Sequence, residues 1–150
     1  MLKNRTPQEV YNSLSEEGAY EEAGLDKDEL IKIKMLTLQD YEYGRTLRKM
    51  ANPNWRVIFN IHYDVVRELC NILIRFKRQK TSNHQGLFAF VILHFSDLEL
   101  DWIFFETIRT MRNNNKYQGI DISEKSWKTI EFQLDMYVKA LKEGIEKRLG

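Results

Sequence analysis

Hydrophobic residues recur at steps of three and four along most of this chain, which is the spacing of one face of an α-helix. The clearest series lies between Asn52 and Arg78 and contains Trp55, Ile58, Phe59, His62, Val65, Val66, Leu69, Leu73 and Phe76. A second series follows Ser123 and contains Trp127, Ile130, Leu134, Tyr137, Val138, Leu141 and Ile145. We therefore predict an all-α protein, an up-and-down antiparallel four-helix bundle with an additional short N-terminal helix, in a single domain over residues 1–150.

Capping residues divide this pattern into helices. Thr6-Pro7-Gln8-Glu9 has the form of a capping box with proline at the first helical position, and Asn52-Pro53 repeats the cap-then-proline start. The predicted helices run from Pro7 to about Gly18, from Asp26 to about Ala51, from Asn52 to Arg78, from His84 to Phe95, from Asp97 or Asp101 to Gly119, and from Ser123 onward. The acidic stretch before Asp28 should be a solvated connection.

Charge and composition limit the function classes. A net charge of +1 gives no overall attraction to nucleic acid, so any affinity for anions must come from local clusters. The basic run at residues 75–80 is one such cluster, with helix-dipole compensation and phosphate binding as its two interpretations. The single cysteine, Cys70, has apolar neighbours and should be a buried hydrophobic residue. The N-terminus has no signal-peptide pattern and no segment is long and apolar enough for a membrane span, so we expect a cytoplasmic protein.

The best candidate site is the polar stretch from Ile108 to Gly119. Its donor-rich residues are Arg109, Arg112, Asn113, Asn114, Asn115, Lys116 and Tyr117. So many hydrogen-bond donors within a few helical turns suit phosphate or carboxylate oxygens. The same residue types are also typical of a plain helix C-terminus, where cations meet the negative end of the dipole and asparagine accepts a left-handed backbone. His62, His84 and His94 have no metal-ligand spacing around them, so neither a metal nor another cofactor is expected.

Three segments in the later two thirds of the chain resemble the HEPN domain family (higher eukaryotes and prokaryotes nucleotide-binding). They read IHYDVVRE at residues 61–68, SNHQGL at 82–87 and RNNNKYQG at 112–119. Their order and spacing carry the resemblance, which spans about residues 52–149 and leaves residues 1–51 as N-terminal helices. It implies a dimeric helical bundle that binds nucleotide or RNA, often encoded with a minimal nucleotidyltransferase partner in a toxin-antitoxin pair.

Many members of that family are metal-independent ribonucleases whose signature is an arginine, a polar residue and then a histidine. Arg112 and Asn113 match the first two positions, but Tyr117 stands where the histidine is expected. Histidine accepts a proton near neutral pH, whereas a phenol ordinarily titrates near 10, so the replacement favours binding over catalysis. Tyr117 could still donate a hydrogen bond or stack on a base.

Two histidines remain as alternatives. His84 begins a helix at a position that the resemblance matches, and it serves either as a substitute base or as a structural residue that bonds a backbone carbonyl. His62 lies on an apolar helix face, so we expect a buried, hydrogen-bonded core histidine.

Three hypotheses follow from the sequence. The first is a HEPN-like dimer that binds nucleotide or RNA phosphate through Arg109, Arg112, Asn113 and Lys116. The second is a metal-independent endoribonuclease that uses Arg112 with Tyr117 or His84. The third is a structural helical dimer, and dimerisation is expected because a small bundle should not bury all of Trp55, Trp102, Phe104 and Phe105.

Overall fold

The computed structural model describes residues 4–150 and is built almost entirely of helices. In this part of the chain the α-helices are α1 (Pro7–Glu16), α2 (Lys27–Arg48), α3 (Trp55–Arg75), α4 (His84–His94), α5 (Trp102–Gln118) and α6 (Glu124–Leu149). A 3-10 turn, Ser96–Leu98, joins α4 to α5. The predicted all-α class is therefore confirmed. The N-terminal segment that lacks a signal-peptide pattern begins with residues 1–3, which lie outside the described residues.

Helix α3 is the centre of the fold. It packs against α2, α4, α5 and α6, while α1 packs against α4. The apolar series predicted for α3 is buried from Ile58 to Leu73, with Trp55 and Phe76 partly buried at its two ends, and the series predicted for α6 is buried throughout. Burying one large aliphatic or aromatic side chain contributes roughly 1.5–3 kcal/mol, so these two helices supply most of the hydrophobic stabilisation. Cys70 is fully buried among them, and burial raises the pKa of its thiol.

Most predicted helix starts are confirmed by their caps. Thr6 and Glu9 form the capping box of α1, and the side chains of Asp26, Asn83 and Ser123 accept the expected backbone hydrogen bonds of α2, α4 and α6. For α5, the choice between two aspartates is settled by Asp101, whose side chain accepts from the backbone of Ile103.

The predicted bounds of α3 are wrong at both ends. Asn54 is the N-cap, because its side chain accepts from the backbone of Val57, whereas Asn52 adopts a left-handed φ of 51° that ends the preceding turn. The helix stops at Arg75, three residues before the predicted end at Arg78, where the backbone again turns left-handed with a φ of 57°. Asparagine tolerates that conformation well, so Asn52 suits a turn better than a cap.

The connection between α1 and α2 is exposed at both of its central glutamates, as predicted, but it also contains a short strand that the sequence does not predict. Glu21–Glu22 forms a short strand, β1, that pairs antiparallel with β2 at Gln79–Lys80. Lys80 Nζ lies 3.7 Å from Glu21 Oε2, and the guanidinium of Arg75 donates two hydrogen bonds to the carbonyl of Gly24. The acidic stretch and the basic run therefore lie side by side, and opposite charges from distant parts of the sequence pair across this small sheet.

The four aromatic residues expected to exceed the core of a monomer are all at least half-buried within it. Phe104 and Phe105 are buried within the monomer, and Trp55 and Trp102 are half-buried against its core. The large apolar side chains that stay exposed include Phe132 on α6 and Leu36 on α2. Aromatic excess over residues 55–105 therefore gives no reason for dimerisation.

Candidate functional site

The polar stretch singled out in the sequence forms the last turns of α5, and Gly119 ends the helix in the left-handed conformation. Helical spacing divides its side chains between two faces. Arg109, Asn113 and Tyr117, four residues apart, face α4. Arg112 faces α3, with Asn115 beside it. The stretch is thus a helix C-terminus whose side chains are also held against two neighbouring helices.

Arg112 lies in the groove between α5 and α3, and its side chain is only 11% exposed. One guanidinium nitrogen, Nη1, donates to the side-chain oxygen of Asn60 at 3.2 Å. The other, Nη2, lies 3.2 Å from Asp64 Oδ1. The guanidinium carbon sits 4.9 Å from the ring centre of Tyr63, a cation–π contact. Arg112 is therefore positioned by three residues of one α3 face.

Tyr63 connects Arg112 to His84. Its ring is fully buried under the guanidinium, and its hydroxyl lies 3.0 Å from Nδ1 of His84 at the start of α4. The expected bond from His84 to a backbone carbonyl is thus replaced by a bond to a side chain. Burial lowers the pKa of His84, and the nearby cations Arg67 and Arg112 lower it further, so the imidazole is neutral at pH 7.

The residues that α3 contributes to this site were not among those predicted from the sequence. Asn60, Tyr63, Asp64 and Arg67 are spaced i, i+3, i+4 and i+7, so they form one polar stripe on an otherwise apolar helix. That stripe is the signal that the sequence offers, but its members are separated by apolar residues, whereas the polar residues of α5 are contiguous. We refer to Asn60, Tyr63, Asp64, Arg67, His84 and Arg112 together as the Arg112 cluster.

A cavity of about 310 Å³ opens beside the Arg112 cluster, where α4 and α5 meet. It is lined by Ser82, Asn83, His84, Gln85, Arg109, Asn113 and Tyr117. Arg109 is held by two 3.0 Å hydrogen bonds to Glu106, which also accepts one from Gln85. Tyr117 is 81% exposed and borders the opening. The cavity therefore combines amide groups, a neutral imidazole and an accessible aromatic ring.

Lys116 is separated from the other predicted residues. It lines a second cavity, of about 460 Å³, together with Arg56, Asn60 and Asn115. Asn60 donates to the side chain of Asn115 and accepts from Arg112, so it stands between this cavity and the Arg112 cluster. Lys116 and Arg56 are both exposed, and neither pairs with a carboxylate within residues 4–150.

A second arginine site lies on another face of α3. Arg48 at the end of α2 makes two hydrogen bonds to Asp135 of α6, at 2.8 and 2.9 Å, and its Nε donates to His62 Nε2 at 3.0 Å. Tyr41 donates to the same carboxylate at 2.7 Å, and the guanidinium covers the ring of Trp127. We refer to these five residues as the Arg48 cluster.

His62 is the buried member of the Arg48 cluster, as predicted for a hydrogen-bonded core histidine. Burial, with Arg48 beside it, lowers the pKa of His62 to about 3. Its Nε2 accepts from Arg48, so the ring proton lies on Nδ1, which has no hydrogen-bond partner among the described residues. Gly44 makes room for this ring, because a Cβ there would lie 2.2 Å from the His62 Cε1.

Neither a metal site nor a membrane-spanning helix is found in the described part of the chain. Within residues 4–150 no three histidine, cysteine, aspartate or glutamate side chains are grouped so that they could hold a metal ion. In the same part of the chain, no helix combines the length with the apolar character that a membrane crossing requires.

Comparison with known proteins adds no relative. No family model matches the chain, and neither a curated protein nor a solved structure shows significant similarity to it.

Proposed function

We propose that this protein is a HEPN-like binding protein for nucleotide or RNA phosphate, with Arg112 as its principal phosphate contact. The observation that carries this proposal is the setting of Arg112, which stacks on Tyr63 beside a neutral His84 and next to an amide-lined cavity. A guanidinium held on an aromatic ring is pre-organised to donate parallel hydrogen bonds to phosphate oxygens.

The surroundings of Arg112 fit the remaining parts of such a ligand. Asn113 and Gln85 offer amide groups that can hydrogen-bond base edges, and the exposed ring of Tyr117 can stack on a base. Arg109 lines the same cavity, while Lys116 and Arg56 line the adjoining one and can contact a neighbouring phosphate. Arg109, Arg112, Asn113 and Lys116 are accordingly the residues to which we assign phosphate binding.

The finer architecture and the partners are parts of the same proposal. We take the helices to form an up-and-down four-helix bundle preceded by α1, and the bundle to act as a homodimer. A minimal nucleotidyltransferase is the proposed protein partner, in a toxin-antitoxin type of pair. Sedimentation of the purified chain, alone and with such a partner, would give the stoichiometry directly.

Binding can be tested with a fluorescein-labelled single-stranded oligoribonucleotide by fluorescence anisotropy. Replacing Arg112 with methionine keeps the apolar stem on Tyr63 and removes the charge. Because a hydrogen bond to a charged group contributes about 1.5–3 kcal/mol, the Kd of Arg112→Met should rise at least tenfold.

Arg45→Met is the matched control for that experiment. It removes one guanidinium from α2, where Arg45 is half-exposed and pairs with Glu42. Its Kd should stay within about twofold of the wild type, since one distant charge is screened at physiological salt. Equal losses in the two variants would show that the chain binds RNA through net charge and not through the Arg112 cluster.

A second candidate function is a metal-independent endoribonuclease with His84 as the base. It is favoured by one observation, that Tyr63 contacts both Arg112 and His84. If Nδ1 of His84 donates to the Tyr63 hydroxyl, Nε2 is free to accept the 2′-hydroxyl proton while Arg112 stabilises the charge that develops on the phosphate. Tyr117, the other candidate base, points into solvent and lacks such a connection within the described residues.

Cleavage of RNA in the presence of a chelator separates this candidate from the first. An enzyme of this kind should cut RNA in the presence of excess chelator. Its activity should fall by about 10²-fold or more in both His84→Gln and Arg112→Met. Tyr117→Phe should retain the activity. Intact RNA after incubation with a wild-type protein that still binds it would leave binding as the function.

A further inference from the structure

Two arginines of the Arg112 cluster face the same carboxylate, that of Asp64. Asp64 Oδ1 lies 3.2 Å from Arg112 Nη2 and 3.7 Å from Arg67 Nε. Asp64 and Arg67 are one turn apart on α3, and Arg112 reaches them from α5. His84 is joined to this group through Tyr63, whose hydroxyl lies 3.0 Å from His84 Nδ1 and whose ring lies under the Arg112 guanidinium.

This arrangement is loosely bonded. Asp64 Oδ1 and Arg67 Nε are buried, yet neither atom has a hydrogen-bond partner within residues 4–150. Both contacts are longer than the roughly 2.7–2.9 Å of a strong charge-assisted hydrogen bond. The remaining part of the Arg67 guanidinium is held by Glu68, at 2.9 Å, so its Nε stays aimed at Asp64. The Arg67 Nε–H is thus a buried, oriented donor without a hydrogen-bond acceptor in the described chain.

The Asp64 side chain is able to leave. It is 43% exposed, so it can rotate into water, where a carboxylate is well solvated. Arg112 is only 11% exposed and is fixed by Asn60 and Tyr63, so the guanidinium would stay in place. A phosphate group has several acceptor oxygens and can accept from Arg67 and Arg112 together, whereas Asp64 satisfies neither fully.

We propose that Asp64 occupies the position of the ligand's phosphate in the free protein, and that a nucleotide or RNA phosphate displaces it to bind between Arg67 and Arg112. This inference rests on the proposed function and adds Arg67 to the phosphate-binding residues. Asp64 then competes with the ligand: it keeps the two guanidinium groups paired until a phosphate arrives.

Binding by four proteins, the wild type, Arg112→Met, Asp64→Asn and Arg67→Met, tests the inference. Each is titrated with the labelled oligoribonucleotide and, separately, with adenosine 5′-monophosphate, so that a phosphodiester ligand is distinguished from a phosphomonoester. Asp64→Asn removes the competing charge with little change of shape and should bind about fivefold more tightly. Arg67→Met should weaken binding at least fivefold, and thermal unfolding of each variant establishes that it is folded.

The outcomes separate the inference from the proposed function. Wild-type binding that is lost in Arg112→Met supports the function, and tighter binding by Asp64→Asn then supports displacement. Weaker binding by a folded Asp64→Asn would instead make Asp64 a positioning residue for Arg112 and overturn the inference alone, as would unchanged binding by Arg67→Met. Binding by Asp64→Asn without binding by the wild type would support displacement, with an Asp64 carboxylate that competes strongly with the phosphate. Failure of all four proteins to bind either ligand would overturn both proposals.

Discussion

Arginine, aspartate, tyrosine and histidine meet twice in this protein, on different faces of α3, and the two groups are bonded very differently. In the Arg48 cluster the guanidinium donates to Asp135 twice and to His62 once, all at 3.0 Å or less. In the Arg112 cluster the contact to Asp64 is single and longer, and buried polar atoms are left without partners in the described chain. At the first site the Arg48–Asp135 charge pair is fully bonded, and His62 Nδ1 is the unpartnered buried atom among the described residues there. At the second site the charge pairs themselves are incomplete, since Asp64 Oδ1 and Arg67 Nε both lack a hydrogen-bond partner in that part of the chain.

The comparison shows how the same residue types can serve stability or binding. Removing one partner of a fully bonded buried charge pair is strongly destabilising, because the other charge is left uncompensated in the core. A buried donor with an incomplete partner costs about 1–3 kcal/mol, which a ligand can recover. The incomplete charge pairs around Asp64, and not the residue types, are therefore why we assign binding to the Arg112 cluster.

The largest effect on the stability that the Arg48 cluster contributes is expected when the pH is lowered. The pKa of His62 is about 3 in the folded protein, against 6.5 for a free histidine, so between these values the unfolded chain holds a proton that the folded one lacks. The stability that neutral His62 contributes is complete above pH 6.5 and falls by about 1.4 kcal/mol per pH unit as the pH drops toward 3. Urea unfolding at pH 7, 6, 5 and 4 measures this slope.

His62→Gln provides the reference for that slope. Glutamine can still accept from Arg48 but does not titrate, so its free energy of unfolding should depend less steeply on pH over the same range. The pKa of His84 is lowered too, and its contribution has the same sign, but it is present in both proteins and cancels in the difference. Parallel slopes for the wild type and the variant would mean that His62 is not held neutral.

Loss of the Arg48 guanidinium should have the next largest effect. Arg48→Met leaves the Asp135 carboxylate half-buried without its cation, which costs about 3 kcal/mol, at the low end of the range for buried pairs because Asp135 is 32% exposed. Chemical denaturation at pH 7 gives this value. A loss below 1 kcal/mol would place the pair among ordinary surface salt bridges.

Gly44→Ala should destabilise the protein by about 2 kcal/mol, although alanine favours helices more than glycine does. The added methyl group would meet the His62 ring, which is packed against Trp127 and cannot move away freely. Gly24→Ala is the control, because a Cβ at that position meets nothing within 4 Å in the described chain. The midpoint temperature of thermal unfolding is measured for both variants. Equal midpoints would mean that the His62 ring has room to shift.

The smallest effect is expected for Arg112→Met, the same substitution made in the Arg112 cluster. Methionine keeps much of the packing on Tyr63, and the lost contacts are a hydrogen bond to the neutral Asn60 and a long one to a half-exposed carboxylate, so the cost should be about 1 kcal/mol. Denaturation of Arg112→Met beside Arg48→Met measures the contrast. Similar losses from the two substitutions would remove the distinction between a structural and a functional arginine.

How much the sequence predicted depends on the range of the interactions. Helices, caps such as Thr6 and Ser123, and the buried His62 follow from local spacing and were recovered. The strand pair of Glu21–Glu22 with Gln79–Lys80 was not, because it depends on contacts between residues nearly sixty positions apart. Arg112 was found within its cluster of cations, but its partners on α3 become visible only when α3 and α5 are packed together.

The most direct test of the central claim is an NMR titration of the arginine side-chain Nε–Hε resonances with a single-stranded oligoribonucleotide. Resonances are assigned from the spectra of Arg112→Met, Arg67→Met and Arg48→Met. We expect saturable shifts of the Arg112 and Arg67 resonances and no shift of the Arg48 resonance. Shifts confined to other arginines, or equal shifts at Arg48 and Arg112, would contradict the central claim.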